Sequence, residues 1–392
     1  MEKKIRRYDL DWLRVIVFGL LIFYHVGMFF VPWGWHIKNN VIYEWLRWPM
    51  LFLNQWRLPI LFVISGMGTY YALSHRNLRQ FSWERAKRLG IPLFVGMLLI
   101  VPPQVYIERL AHGQFQGSYL DYLTTVAFNG VYPEGNISWH HLWFLPYLLL
   151  FSLVLGPLFI YLRRNTTRLG AWVKKMLQKP FGAYVFVLPL FLVEAFVEPF
   201  FPVTHALIGD WFTISFNILF FFYGFLLVSA GKIFWETLPK IKNRALAIGM
   251  VAFSALLIIW LFFEDSIVVH FTEAFIKVVN IWSWILVLFA YSAKYLNRPS
   301  KRLSYANRSV YPFYILHQTV TIVIAYFLMD LEWGLFPKAI LLIVGTFGIS
   351  WLIYDFIILR IRLLHPLFGL KGEKTSKRTI HRFKNIFNSL LP

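Results

Sequence analysis

Apolar residues gather into long unbroken runs along this chain, and the charged residues fall mostly between them. A helix that crosses a bilayer needs about 20 predominantly apolar residues. Ten stretches meet that requirement: Leu10–Val31, Leu51–Leu73, Leu89–Ile107, Leu142–Leu162, Phe181–Phe200, Ala206–Ala230, Ala245–Phe263, Ala274–Leu296, Val310–Asp330 and Leu335–Ile361. Barrel strands would read as alternating segments of roughly ten residues, which this pattern excludes. The pattern predicts an all-α integral membrane protein, a bundle of about ten transmembrane helices. One transmembrane domain over residues 1–370 and a basic tail over 371–392 are the expected organisation.

Composition agrees, with 58% hydrophobic and only 15% charged residues, against roughly 45–50% and about 25% in a soluble chain. The absence of cysteine excludes a thiolate nucleophile and any CxxC zinc or redox site. A net charge of +20 invites a nucleic-acid reading, but the distribution of the charge argues for topology instead. With a cytoplasmic N-terminus, 32 of the 39 Lys and Arg residues lie on the inside. The outside segments hold Lys38, Arg47, Arg109 and Lys338, while Arg14, Arg57 and Lys277 fall within spans. This bias predicts that both termini are cytoplasmic and that the number of spans is even. No nucleic-acid partner is expected. The first span does not read as a cleaved signal peptide, because its apolar stretch is too long and is interrupted by Arg14 and His25. Outside, Pro32–Met50 carries Trp33, Trp35, Trp45 and Trp48, either interfacial anchors or a platform on which a sugar ring stacks.

Ionisable groups inside spans are costly, so they are the first place to look for function. The first span reads "YDLDWLRVIVFGLLIFYHVGMFF". At about 100° per residue, the eleven steps from Arg14 to His25 return to within about 20° of one direction, and Asp11 lies on the same side. One stripe thus carries a cation near one end and an imidazole roughly 16 Å deeper, at about 1.5 Å per residue. The plainer alternative is a snorkelling arginine and a histidine that makes one interhelical hydrogen bond.

These residues also resemble a known family. "DWLRVIVFGLLIFYH" has the Asp-x-x-Arg start and the Arg-to-His spacing of the membrane acyltransferase-3 family. "LPILFVISGMG", "ERAKRLGIPLFVGMLLIVPPQVYIE", "HHLWFLPYLLL", "VYPFYILHQTV" and "YDFIILRIRLLHPLFGLK" follow in that family's order, so the resemblance runs over almost the whole chain. It implies a multi-pass protein of a bacterial-type inner (plasma) membrane. Such a protein moves an acyl group, acetyl or succinyl, from cytoplasmic acyl-CoA to a hydroxyl of an extracytoplasmic glycan or other carbohydrate. Acetyl-CoA or succinyl-CoA is then a donor substrate, and no permanently bound cofactor is expected. The partners expected are acyl-CoA, the carbohydrate acceptor and the lipid bilayer.

Acyl transfer to an alcohol needs a base, a donor for the developing oxyanion and a site that excludes water. His25 is the candidate base, since an imidazole titrates near working pH. Arg14 is assigned an orienting or donor-binding role, with Asp11 as its partner. Arg85 and Arg88, three residues apart, match the family's Arg-x-x-Arg and are candidates to grip the CoA phosphates; positive-inside charge is the alternative. Arg57, His141, Trp143, His317 and Glu194 are candidate substrate-binding residues, with Glu194 and Glu198 able to pair with Lys277. Packing is the favoured reading of the glycines beside Ser65. No metal site is expected, because adjacent His140 and His141 point apart on a helix and no third ligand has a suggestive spacing. A transporter or flippase for an acylated or glycan compound is the runner-up. It predicts interrupted spans in corresponding halves, and the chain shows no such pairing.

Overall fold

The computed structural model describes residues 6–165 and 168–370; the basic tail predicted over 371–392 lies outside the described residues. Ten helices long and apolar enough to cross a membrane follow one another. They are α1 (Tyr8–Met28), α2 (Glu44–Ala72), α3 (Leu78–Ala111), α4 (His140–Arg164), α5 (Gly182–Phe200), α6 (Trp211–Ser229), α7 (Lys232–Phe262), α8 (Ile267–Tyr295), α9 (Lys301–Leu328) and α10 (Leu335–Ile358). Among the described residues there is no strand. All ten predicted spans are present.

The boundaries differ where a helix outruns its apolar run. α7 begins at Lys232 rather than Ala245, and α9 at Lys301 rather than Val310. Hydropathy measures the thickness of hydrocarbon, whereas a helix continues beyond it for as long as its backbone hydrogen bonds do. α3 is the least regular span. It contains two π-helical turns, Ala86–Gly90 and Gly96–Ile100, next to Pro92 and the Pro102–Pro103 pair, whose missing N–H groups break the ordinary helical ladder.

α1 packs among α2, α8, α9 and α10, so the stripe predicted on it faces protein rather than lipid. α2 lies closely along α6, and glycine makes that contact possible. A Cβ on Gly66 would stand 1.9 Å from the Phe221 carbonyl oxygen, and one on Gly224 would stand 2.0 Å from that of Val63. Gly68 has open space around it and lines a cavity, so only part of the Ser-Gly motif serves packing. α7 and α10 lie at the edge and leave apolar side chains such as Val251 and Val344 exposed.

Two ends of the bundle are distinguished below: the N-terminal face, where α1 begins, and the opposite face. On the opposite face the Trp-bearing segment after α1 is tied back by Lys38, whose ammonium donates to the carbonyls of Met28 (2.6 Å), Trp33 (3.0 Å) and Val31. Burial lowers the Lys38 pKa to about 8. Asp210 similarly gathers the segment before α6, accepting from Tyr147 Oη (2.5 Å) and the His205 amide (2.8 Å).

Candidate active site

Three cavities lie in series through the bundle. The first, about 300 Å³, is lined by Arg14, Arg76, Arg85 and Arg88, with Glu84 as the only carboxylate on its wall among the described residues. Arg14 Nη1 is held by Asn307 Oδ1 of α9 (3.1 Å) and Asp11 Oδ1 (3.4 Å), and Asp11 is also engaged by Arg6 (2.8 Å). Arg85 donates to Thr69 Oγ1 (2.9 Å). The backbone carbonyl of Arg88 accepts from Tyr311 Oη (3.1 Å). The predicted Asp11–Arg14 pairing is thus present, and Arg14, Arg85 and Arg88 meet at one cavity. Asp11 supports Arg14 at the start of α1 and is not a wall residue of any of the three cavities.

The third cavity, about 830 Å³, lies toward the opposite face and is lined by His25, Arg57, His141, Trp143, Glu194 and Lys277 among others. A small cavity of about 40 Å³ lies between the two. It shares Phe18, Phe144 and Tyr314 with the first cavity, and His25, Arg57, His141 and Trp143 with the third. Three aromatic rings therefore form a neck on the side of the arginines, and His25 and Arg57 stand just beyond it.

His25 is oriented from α9. His317 presents Nδ1 to the carbonyls of Tyr314 (2.7 Å) and Phe313 (3.2 Å), and its Nε2 lies 3.0 Å from His25 Nδ1. Carbonyl oxygens only accept, so Nδ1 of His317 carries the proton and Nε2 the lone pair. His25 Nδ1–H then donates to it, which leaves the lone pair of a neutral His25 on Nε2. His317, a candidate substrate-binding residue in the sequence, is not on the wall of either cavity that His25 lines, and its ring stands against His25 in a position to fix its tautomer.

Arg57 is 3% exposed, yet its Nε and Nη1 have no hydrogen-bond partner among the described residues. Its guanidinium lies 3.6 Å from the centroid of the Tyr24 ring. A buried cation with unmet donors is costly, and this one borders both cavities that His25 lines. His141 is fixed by its Nε2–H to the Ile315 carbonyl (3.0 Å) and by Gln104 at its Nδ1 (3.3 Å). Trp143 stacks on His205, with ring centroids 4.0 Å apart. Burial in that stack lowers the His205 pKa to about 4. Glu194 of α5 pairs with Lys277 of α8, one of the two alternatives the sequence offered, while both side chains also line the third cavity.

A polar cluster that sequence reasoning missed joins three segments. His36 contacts Glu108 of α3 through Nδ1, and the His140 ring stands against the His36 ring with centroids 4.6 Å apart. Glu108 closes the segment "ERAKRLGIPLFVGMLLIVPPQVYIE" and His140 opens "HHLWFLPYLLL", but nothing in their spacing points to His36.

Comparison with known proteins gives this geometry its class. Residues 7–355 match the model of the acyltransferase-3 family, described as an acyltransferase domain. The chain belongs to that family and is a multi-pass membrane O-acyltransferase. It is 25% identical over 388 residues to glucans biosynthesis protein C of Escherichia coli O157:H7. The identity is also 25%, over 386 residues, to the proteins of that name from Escherichia coli strain K12 and Shigella dysenteriae serotype 1. Each alignment covers 95% of this chain and 96% of the relative. No solved structure matches the chain.

Proposed function

We propose that this enzyme transfers an acetyl or succinyl group from cytoplasmic acyl-CoA to a carbohydrate hydroxyl on the other side of an inner membrane. The observation that carries the reading is the serial arrangement of an arginine-lined cavity, an aromatic neck and a second cavity that begins at His25 and Arg57. The positive-inside bias assigns the N-terminal face to the cytoplasm. Arg14, Arg85 and Arg88 then meet a donor from that side, where charge-assisted hydrogen bonds suit the phosphates of CoA. The roughly 16 Å between Arg14 and His25 along α1 is a length that an extended pantetheine arm covers.

At the neck the thioester carbonyl meets Arg57, whose unpartnered N–H groups suit a developing oxyanion. His25 Nε2 accepts the proton of the attacking hydroxyl as the carbon–oxygen bond forms. Collapse of the tetrahedral intermediate breaks the carbon–sulfur bond, and the imidazolium returns the proton to the departing thiolate. The phenylalanine and tyrosine rings of the neck exclude water from the thioester. Relatives named for glucans biosynthesis support a carbohydrate acceptor. The test is incubation of the purified protein with radiolabelled acetyl-CoA or succinyl-CoA and membrane-derived glycans. Label from one donor in the glycan fraction is the expected result; no transfer from either donor would reject the proposed chemistry.

A further inference from the structure

We propose that His36, Glu108 and His140 form a binding site for a divalent cation of the zinc class, with its remaining position open to the large cavity. One ligating atom of each residue lies within 4.8 Å of the other two. Zinc bonds of about 2.0–2.1 Å to nitrogen or oxygen bring tetrahedral ligand atoms to about 3.3 Å from one another, so small side-chain rotations complete the set. Two histidines and one glutamate with an open position are a ligand set that zinc enzymes use.

Three further observations support a cation over a plain hydrogen-bonded cluster. Two of the three residues, Glu108 and His140, have their other polar atom held from behind. Tyr132 Oη donates to Oε1 of Glu108 (2.9 Å), and Ser138 Oγ faces Nδ1 of His140 (3.3 Å), whereas Gln318 donates its side-chain N–H to Nε2 of His36 (3.0 Å), so ligation through His36 Nδ1 requires that amide to be reversed. Outer partners of this kind orient metal ligands. The remaining atoms are His36 Nδ1 and Glu108 Oε2, which touch, and His140 Nε2, which is buried and has no partner among the described residues. A buried imidazole nitrogen without a partner beside a carboxylate is a cost that a bound cation removes. His140 also adopts φ +37°, a strained backbone for a residue other than glycine.

His36, His140, Tyr132 and Gln318 all lie on the wall of the large cavity. The fourth coordination position therefore faces the space in which the acceptor is proposed to bind, and takes water or a hydroxyl oxygen. That last role rests on the acyl-transfer reading, but cation binding does not, and the two are measured separately.

The full-length protein in detergent is stripped with chelator, titrated with ZnCl₂, desalted and analysed for metal content, with thermal unfolding followed in parallel. The wild type is expected to retain one zinc per chain and to unfold at a higher temperature with zinc present. Folded His140→Ala, which leaves the His36–Glu108 contact in place, is expected to bind zinc at least tenfold more weakly and to lose the thermal shift. His270→Ala, which removes a histidine of α8 outside the cluster, is expected to behave as wild type. Retention of no zinc by the wild type would overturn the proposal, whatever the variants do. Equal retention by wild type and folded His140→Ala would overturn it as well and leave the cluster as a structural hydrogen-bonded post.

Discussion

His317 lies behind His25, 3.0 Å from Nε2 of the one to Nδ1 of the other, and two backbone carbonyls of α9 decide which way that hydrogen bond runs. The pair joins the first and ninth spans. It gives an imidazole in the middle of the bundle a single tautomer with its lone pair on Nε2. In the proposed mechanism His317 acts on the reaction only through His25, as a positioning residue.

Removal of His317 should therefore reduce turnover and leave donor binding intact. In His317→Ala we expect kcat to fall about 100-fold, the lower end of what a correctly poised general base contributes, with KM for acyl-CoA changed less than about threefold. His317→Gln carries an amide oxygen that can accept from His25 Nδ1–H and should recover part of the loss. Steady-state kinetics on the three proteins decide this. A fall in both variants with no difference between them would remove the orienting role.

Arg57 should show activity and stability moving in opposite directions. Arg57→Met keeps similar bulk and removes a buried cation whose Nε and Nη1 lack partners. We expect kcat to fall about 100- to 1000-fold, as on loss of an oxyanion donor, while the unfolding temperature holds or rises. Turnover and thermal unfolding in detergent are measured on the same preparation. Undiminished turnover would show that the unpaired Nε and Nη1 face no reacting atom.

Arg85 and Arg88 should act on the donor rather than on the chemistry. Each substitution to Ala is expected to raise KM for acyl-CoA about tenfold, the scale of one charge-assisted hydrogen bond, with kcat little changed. The wild-type KM should also rise with ionic strength, since the contact is between charges. Initial rates across donor concentration and salt test this. Unchanged KM in both variants would return the two arginines to a purely topological role.

The close approach of α2 and α6 makes a prediction about folding. In Gly224→Ala the new methyl would meet the Val63 carbonyl oxygen at 2.0 Å, backbone that no side-chain rotation can move aside. A loss of roughly 1–3 kcal/mol, the usual cost of overpacking, is expected as a lower unfolding temperature. Gly68→Ala, with nothing near its Cβ, should unfold close to wild type.

The structure also shows which features a sequence can carry. Ten spans are legible because hydropathy over 20 residues reports directly on the membrane. The Arg14–His25 stripe is legible because both residues belong to one helix, where 3.6-residue periodicity fixes their relative direction. His317 could be picked out as a polar residue in a span, but its role behind His25 depends on a contact across 292 positions. The His36–Glu108–His140 cluster is hidden for the same reason, since a loop, the end of α3 and the start of α4 meet only in the folded bundle. Arg57 stands between these cases. Its cost inside a span is visible in the sequence, whereas the two donors it leaves unmet, Nε and Nη1, are visible only once all its neighbours are placed.

The central claim is that His25 Nε2 is the base for acyl transfer at the neck between the cavities. It is tested most directly by single-turnover transfer from labelled acyl-CoA to glycan with wild type and His25→Ala, both shown to be folded in detergent and to bind the donor equally. The account predicts that the variant binds donor and delivers no detectable label to the acceptor. Transfer at the wild-type rate by His25→Ala would contradict it.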